Sequence, residues 1–162
     1  NRKSFNFYAE SLLRYALIKE NITGLGASIS ELNGFLKRIG INEKRIVDGS
    51  GLSRGNFFSA DGFVKVLNYA HKQPYFNYFY DSLGSWKNSD VKGHIKKFGS
   101  KKGLDIKIKS GSLNRVRSYV GYINSKNSGL LSFCFIINNY TVSPSDIDKI
   151  FEDILATVSE KY

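Results

Sequence analysis

"LDIKIKSGSLNRVRSYVGYI", residues 104–123, decides the fold. Leu104, Ile106 and Ile108 recur at every second position and share one face of a strand, while Asp105, Lys107 and Lys109 share the other. Lys109 therefore points away from the apolar layer. Ser110, Gly111 and Ser112 follow it, and a second strand begins at "SYVGYIN" (118–124). "LLSFCFIIN" (130–138) predicts a third strand beyond the hairpin turn "SKNSG" (125–129). Its continuous apolar run predicts cover on both faces.

Outward from these strands the chain reads as helical. After them comes "SPSDIDKIFEDILATVSEKY" (143–162), with Ser143 as N-cap, Pro144 at the first helical position and Asp146 completing a capping box. Ile147, Ile150, Phe151, Ile154, Leu155 and Val158 predict one apolar face covering one side of the sheet. Before the strands, Phe5, Tyr8, Ala9, Leu12, Leu13, Ala16 and Leu17 predict a helix near 5–19 with one buried face, with Ser4 and Asn6 at its entrance. Ser28 followed by Glu31 suggests a second capping box, Ile29, Leu32, Leu36 and Ile39 a stripe, and Gly40 a stop. Gly49, Gly51 and Gly55 make "DGSGLSRGN" (48–56) a tight, shaped loop, and a third helix follows near 60–72, closed by Pro74. A short helix is expected around 90–98.

Composition limits the function classes. The 162 residues, 41% hydrophobic, suffice for one compact core. Without an apolar run of about 18 residues there is no candidate membrane span, and "NRKSFNFYAE" (1–10) has no signal-peptide apolar region. The chain contains no Met and opens in mid-structure, so a processed product or a fragment is expected. The single Cys134 excludes an intrachain disulfide and two-cysteine metal sites, and is expected to be a small buried core residue. His71 and His94 have no metal-spaced partner and read as ordinary surface or helix-end histidines, so neither a metal nor a cofactor is expected. The net charge of +10 gathers in Lys92, Lys96, Lys97, Lys101, Lys102 and Lys107. This suits a solvated lysine surface better than a nucleic-acid stripe, since the usual nucleic-acid motifs are absent.

Two small polar clusters bear on chemistry: Ser4-x-Asn6 at a helix entrance and Lys109-Ser110-Gly111 at the end of a strand. Each alone is common, and Ser125-Lys126-Asn127 also matches the first pattern. Together and in this order they are two of the three motifs of penicillin-recognising serine enzymes. With "SFNFYAESLLR" (4–14), "VDGSGLSRGN" (47–56), "KIKSGSL" (107–113) and "VGYI" (120–123), nearly the whole chain resembles the D-Ala-D-Ala carboxypeptidase/endopeptidase family, the class C penicillin-binding proteins.

That resemblance implies the C-terminal portion of an α/β (α+β) serine beta-lactamase/transpeptidase-like fold. Residues 1–103 would form a helical lobe and 104–162 the antiparallel strands and terminal helix. It implies acyl transfer on peptidoglycan stem peptides through an acyl-enzyme, with beta-lactams acylating the same serine, in a periplasmic or other extracytoplasmic location. By the same resemblance Ser4 is the relay serine that passes a proton to the leaving group, and Lys109 supplies positive charge beside it. Asn6 would hold the substrate backbone, Ser110 would bind the terminal carboxylate, and Gly111 would leave the substrate's path clear. The Ser112 backbone N–H would be one arm of the oxyanion hole. Asp48, Ser50 and Arg54 read as scaffold.

The chain departs from the pattern in three places. The family's Ser-x-x-Lys motif, carrying nucleophile and base, belongs upstream of Ser4, so the upstream part of the same chain is an expected partner and the segment alone is expected to be inactive. The one such string present, "SDVK" (89–92), stands after Ser-x-Asn and is assigned to chance. Ser110 replaces the more common threonine and keeps its hydroxyl, and Phe5 stands where relatives often have an acid. The alternatives are a basic module binding nucleic acid or an anionic cell-wall polymer through Lys87–Lys109, and a degenerate, non-catalytic relative.

Overall fold

The computed structural model describes residues 2–15 and 24–162. The chain divides into two compact units, one of Ser4–Tyr69 and one of Ala70–Tyr162 together with Arg2 and Lys3.

In the first unit, α1 (Asn6–Tyr15) forms where helical spacing predicts it, although Ala16 and Leu17 lie outside the described residues. Its predicted buried face is not buried: Phe5, Tyr8 and Leu12 are exposed. The second helix, α2 (Leu25–Arg38), starts earlier than the capping-box pattern predicts, with Gly24 as N-cap at φ 97°. Ser28 lies inside it, buried, and its hydroxyl donates back to the Gly24 carbonyl at 3.2 Å. A serine within a helix satisfies its hydroxyl on the preceding turn in this way, and the Ser-x-x-Glu string does not separate that role from a cap. The stop at Gly40 is as predicted. With Gly40 at φ 82°, its N–H reaches the Lys37 carbonyl and the Ile41 N–H the Leu36 carbonyl, a Schellman ending sealed by the buried pair Leu36 and Ile41.

A two-residue ladder then brackets the glycine loop: β1 (Lys44–Arg45) pairs antiparallel with β2 (Phe57–Phe58). The third helix, α3 (Ala60–His71), follows at its predicted place, burying Leu67 and Ala70.

The second unit continues with α4 (Phe76–Ser82) and a four-residue 3-10 helix, Gly93–Lys96, where a longer helix near 90–98 is predicted. Then come β3 (Ile106–Leu113), β4 (Val116–Ser125) and β5 (Gly129–Asn138), an antiparallel sheet in the order β3-β4-β5. The register sets Ile108 opposite Gly121, Ser110 opposite Tyr119, and Ser112 opposite Arg117.

The closing helix, α5 (Pro144–Lys161), carries the predicted capping box: the Ser143 hydroxyl accepts from the Asp146 N–H at 3.2 Å, and the Asp146 carboxylate accepts from the Ser143 N–H at 3.2 Å. Ile147, Phe151 and Leu155 enter the core with Phe98, Ile106, Ile108, Tyr119 and Ile123. Tyr119 stacks on Phe98 at 4.0 Å between ring centres, and Phe135 on Phe151 at 4.6 Å. Burying one such side chain contributes roughly 1.5–3 kcal/mol. The apolar face is narrower than predicted, because Ile150 and Ile154 fall outside the i, i+4, i+8 row and remain exposed. β5 also departs from expectation: it is half-buried along both faces, and Cys134 with it. Burial nonetheless raises the Cys134 thiol pKa to about 11.

Candidate active site

The outer edge of β3 is the most distinctive feature of the second unit. Ile108 turns its backbone groups away from β4, donating to the Gly84 carbonyl at 2.7 Å and accepting from the Gly84 N–H at 2.8 Å. An antiparallel strand repeats every second residue, so the backbone groups of Ser110 and Ser112 also face outward, while those of Lys109 and Gly111 face β4. Beyond Gly84 no strand pairs with this edge among the described residues.

Side chains alternate with the same period. Lys109 is half-buried on one face, and its ammonium donates to the Ser110 carbonyl. Burial depresses its pKa below the ordinary lysine range, and no carboxylate forms an ion pair with it among the described residues.

Ser110 lies on the opposite face, buried at 9% exposure, with its Oγ 2.9 Å from His94 Nε2. The sequence marks His94 as an ordinary histidine, and no local signal links residues 16 apart. The 3-10 helix makes the link, since it carries His94 on backbone whose carbonyl accepts from the Lys97 and Phe98 N–H groups at 3.0 and 2.9 Å. His94 as a residue is exposed, yet its engaged edge is half-buried and meets the Tyr119 ring edge-on at 6.1 Å. Burial, helped by the charges of Arg117 and Lys109 and opposed by Asp148, lowers its pKa below the usual histidine value. His71 is a helix-end residue as predicted, packed edge-on against Phe76 at 4.6 Å.

Behind Ser110, Arg117 is buried and bonded through two nitrogens to Asp148, at 2.9 and 2.6 Å, while the Tyr119 hydroxyl joins both. This network fixes the wall against which the His94 ring rests.

Glycine has two different uses on these strands. A Cβ at Gly111 would come within 2.5 Å of the Ser118 hydroxyl, the end of a short side chain that can rotate. At Gly121 it would run into the Lys107 carbonyl oxygen, which belongs to the backbone.

Ser4 and Asn6 lie in the other unit, both exposed. Ser4 sits just outside α1 at φ 52°, and Asn6 is its first residue. One turn into α1, the Glu10 carboxylate accepts from the N–H groups of Gly49 and Ser50 at 3.1 and 3.0 Å. Gly49 packs so closely that a Cβ there would lie 2.9 Å from the Ala9 carbonyl. Asp48 gathers the rest of the loop, accepting from Gly51 and Ser53 N–H groups at 2.7 Å each and from Asn56 Nδ2 at 2.9 Å. Burial acts to raise its pKa, but these three bonds prevail and lower it. Asp48 thus holds the glycine loop together. Sequence reasoning missed Glu10 because its partners lie 39 and 40 residues away.

Ser89 and Lys92 of the SDVK string are exposed in a turn and irregular chain ahead of the 3-10 helix. Among the described residues no three His, Cys, Asp or Glu side chains are grouped to hold a metal, and no helix is long and apolar enough to cross a membrane.

Comparison with solved structures gives the same architecture. Penicillin-binding protein 4 of Haemophilus influenzae, solved in complex with a beta-lactam, superposes with a TM-score of 0.82 at 21% identity, covering 98% of this chain and 40% of that one. A predatory endopeptidase of Bdellovibrio bacteriovorus, in complex with an immunity protein, gives 0.69 at 18% identity over 98% of this chain and 41% of that one. A class A beta-lactamase from Bacteroides cellulosilyticus gives 0.61 at 16% identity over 89% and 56% of the two chains. The chain therefore spans about two-fifths of the length of the first two relatives, 40% and 41%. Comparison with curated proteins returned no match. The fold is beta-lactamase/transpeptidase-like. A model of the D-Ala-D-Ala carboxypeptidase 3 (S13) family matches residues 1–160, and the chain belongs to that family.

Proposed function

We propose that this chain is the C-terminal, motif-bearing part of an extracytoplasmic serine-type D-Ala-D-Ala carboxypeptidase or endopeptidase acting on peptidoglycan stem peptides. Residues 1–103 form its helical lobe and 104–162 its strands and closing helix. The observation that carries this reading is the edge of β3 beyond Gly84, unpaired by any strand among the described residues, where outward-facing backbone at Ser110 and Ser112 adjoins a half-buried lysine that makes no carboxylate ion pair among those residues. An extended peptide ending in a carboxylate can pair with such an edge as an added strand.

In this mechanism the nucleophilic serine lies upstream in the longer chain. Its oxygen attacks the penultimate D-Ala carbonyl, and the oxyanion accepts from the Ser112 N–H, which lies on that edge. Collapse breaks the C–N bond, and Ser4 relays the serine's proton to the departing amine. Water then cleaves the ester. Lys109 supplies positive charge to the terminal carboxylate, Asn6 holds the substrate backbone, and Ser110 donates to the carboxylate. Beta-lactams enter by the same attack and remain as the acyl-enzyme. The segment without the nucleophile is inactive.

The lysine-rich stretch gives less support to a polyanion-binding module. Lys92, Lys97 and Lys101 line a cleft that also carries Asp146, Asp148, Glu152 and Asp153 from α5. Mixed charge does not favour a polyanion.

The test is the intact mass of the longest natural translation product before and after incubation with benzylpenicillin, with peptide mapping of the adduct. An adduct on a serine upstream of Asn1 is expected. No adduct at all overturns the enzymatic reading, and one on Ser89 overturns the assignment of SDVK to chance.

A further inference from the structure

We infer that His94 is a positioning residue for carboxylate recognition, holding the Ser110 hydroxyl so that its proton points to the terminal carboxylate of the substrate. The inference rests on the proposed enzymatic reading and adds a residue that lies outside the two sequence motifs.

The argument begins with hydrogen-bond capacity. A serine hydroxyl has one proton to donate and two lone pairs to accept with. Ser110 Oγ is buried, and His94 Nε2 is 2.9 Å from it. If Nε2 accepts, the serine's only proton is spent on the imidazole and the hydroxyl can offer an anion nothing but lone pairs. If Nε2 carries hydrogen and donates, the Ser110 proton is free for the carboxylate. Binding of a carboxylate therefore selects the Nε2–H tautomer or the imidazolium. By linkage, each donating form of His94 favours the carboxylate in turn.

The surroundings hold this pair in place. The 3-10 helix that bears His94 is anchored by Ile95, buried at 5% exposure. Tyr119 forms the wall beside the ring, and its own hydroxyl is taken by Arg117 and Asp148. Arg117 is engaged at two nitrogens by Asp148, so it is not the group that orients Ser110. The charged and titratable groups facing His94 are Lys109 of β3, Arg117 and Tyr119 of β4, and Asp148 of α5. Their balance, with burial, keeps the imidazole neutral at pH 7 and leaves the tautomer to be decided by the ligand.

The experiment uses the full natural chain and two peptides, one ending in D-Ala-D-Ala and the same peptide ending in D-alaninamide. His94→Phe is expected to raise KM for the carboxylate peptide about tenfold, the effect of one hydrogen bond to a charged group. kcat and the amide peptide should be little changed. His94→Gln keeps an N–H donor and should restore most of the loss. For the carboxylate peptide, the ratio of wild-type to His94→Gln kcat/KM should climb as pH falls below 6.5, where the imidazolium adds a charge that glutamine lacks. Equal losses on both peptides, no loss on either, or a pH-independent ratio overturns the inference while leaving the enzyme reading intact, provided that the wild type forms a benzylpenicillin adduct. A wild type that forms none refutes both.

Discussion

The guanidinium of Arg117 meets both carboxylate oxygens of Asp148, at 2.9 and 2.6 Å, joining strand β4 to helix α5 on the face that carries Ser110. Arg117 is buried at 5% exposure, so removing its partner strands a charge away from water. Asp148→Ala is expected to destabilise the protein by about 3–5 kcal/mol in urea unfolding. The double variant Arg117→Leu/Asp148→Leu should lose much less, because it leaves no unpaired buried ion. If the single and double variants lose the same amount, the pair is not coupled as its geometry requires.

The two strand glycines should respond differently to alanine. Gly121→Ala drives a Cβ onto the Lys107 carbonyl oxygen and the Ile108 Cα, both backbone, so β3 and β4 must separate. A loss of about 3 kcal/mol or more in urea unfolding, or failure to fold, is expected. Gly111→Ala meets only the Ser118 hydroxyl, which can turn aside, and should leave the melting temperature within a few degrees of wild type. Its effect should instead be seen as a slower acylation by benzylpenicillin.

Glu10→Ala removes the acceptor of two backbone N–H groups, those of Gly49 and Ser50. A loss of about 1–3 kcal/mol is expected, with faster amide exchange confined to residues 48–56. Uniformly faster exchange would show that Glu10 stabilises the whole unit rather than the loop.

Asp48 makes the same loop sensitive to acid. Its folded pKa lies below that of the unfolded chain, so the stability it contributes is fully present above the unfolded value of about 3.9 and is lost as pH falls through the folded value. Asp48→Asn should flatten the fall in stability below about pH 4 seen in denaturant titrations of wild type. An unchanged acid limb would assign that limb to other carboxylates.

Lys109 sets an alkaline limb. Burial lowers its pKa, so the ammonium loses its proton at a pH below the ordinary lysine value of about 10.4. In the full chain, acylation by benzylpenicillin should decline over that lower range, and Lys109→Arg should carry the decline to higher pH. Lys109→Ala should slow acylation about a hundredfold or more. A Lys109→Ala variant that acylates at the wild-type rate would remove Lys109 from the proposed chemistry.

The elements most legible in the sequence are those whose signal is local. Ser143, Pro144 and Asp146 lie within four residues and set the start of α5 by their own hydrogen bonds. The alternation of Leu104, Ile106 and Ile108 likewise carries its own geometry. Ser28 misleads because a hydroxyl with a glutamate three residues on satisfies itself equally well inside a helix, and the true start depends on Gly24 at φ 97°. β1 and β2 are two residues each, too short for any period, and exist because the loop between them closes. Ile150 and Ile154 have the right spacing for a buried face, yet the row through Ile147, Phe151 and Leu155 takes the core. At the candidate site, the sequence contains the lysine, serine and glycine in order, whereas His94 and Glu10 act on partners far along the chain. Such partners are settled by tertiary packing alone.

The bridge between Gly84 and Ile108 limits what the edge of β3 can accept. A guest strand slides until it meets an obstruction, and Gly84 has already taken both outward bonds of Ile108. Between that bridge and the strand's end at Leu113, Ser110 and Ser112 turn their backbone groups outward, and the Ser110 carbonyl already accepts from the Lys109 ammonium. The edge is thus a short ruler with a stop at one end, and any strand added there would have its bonds measured off from Gly84.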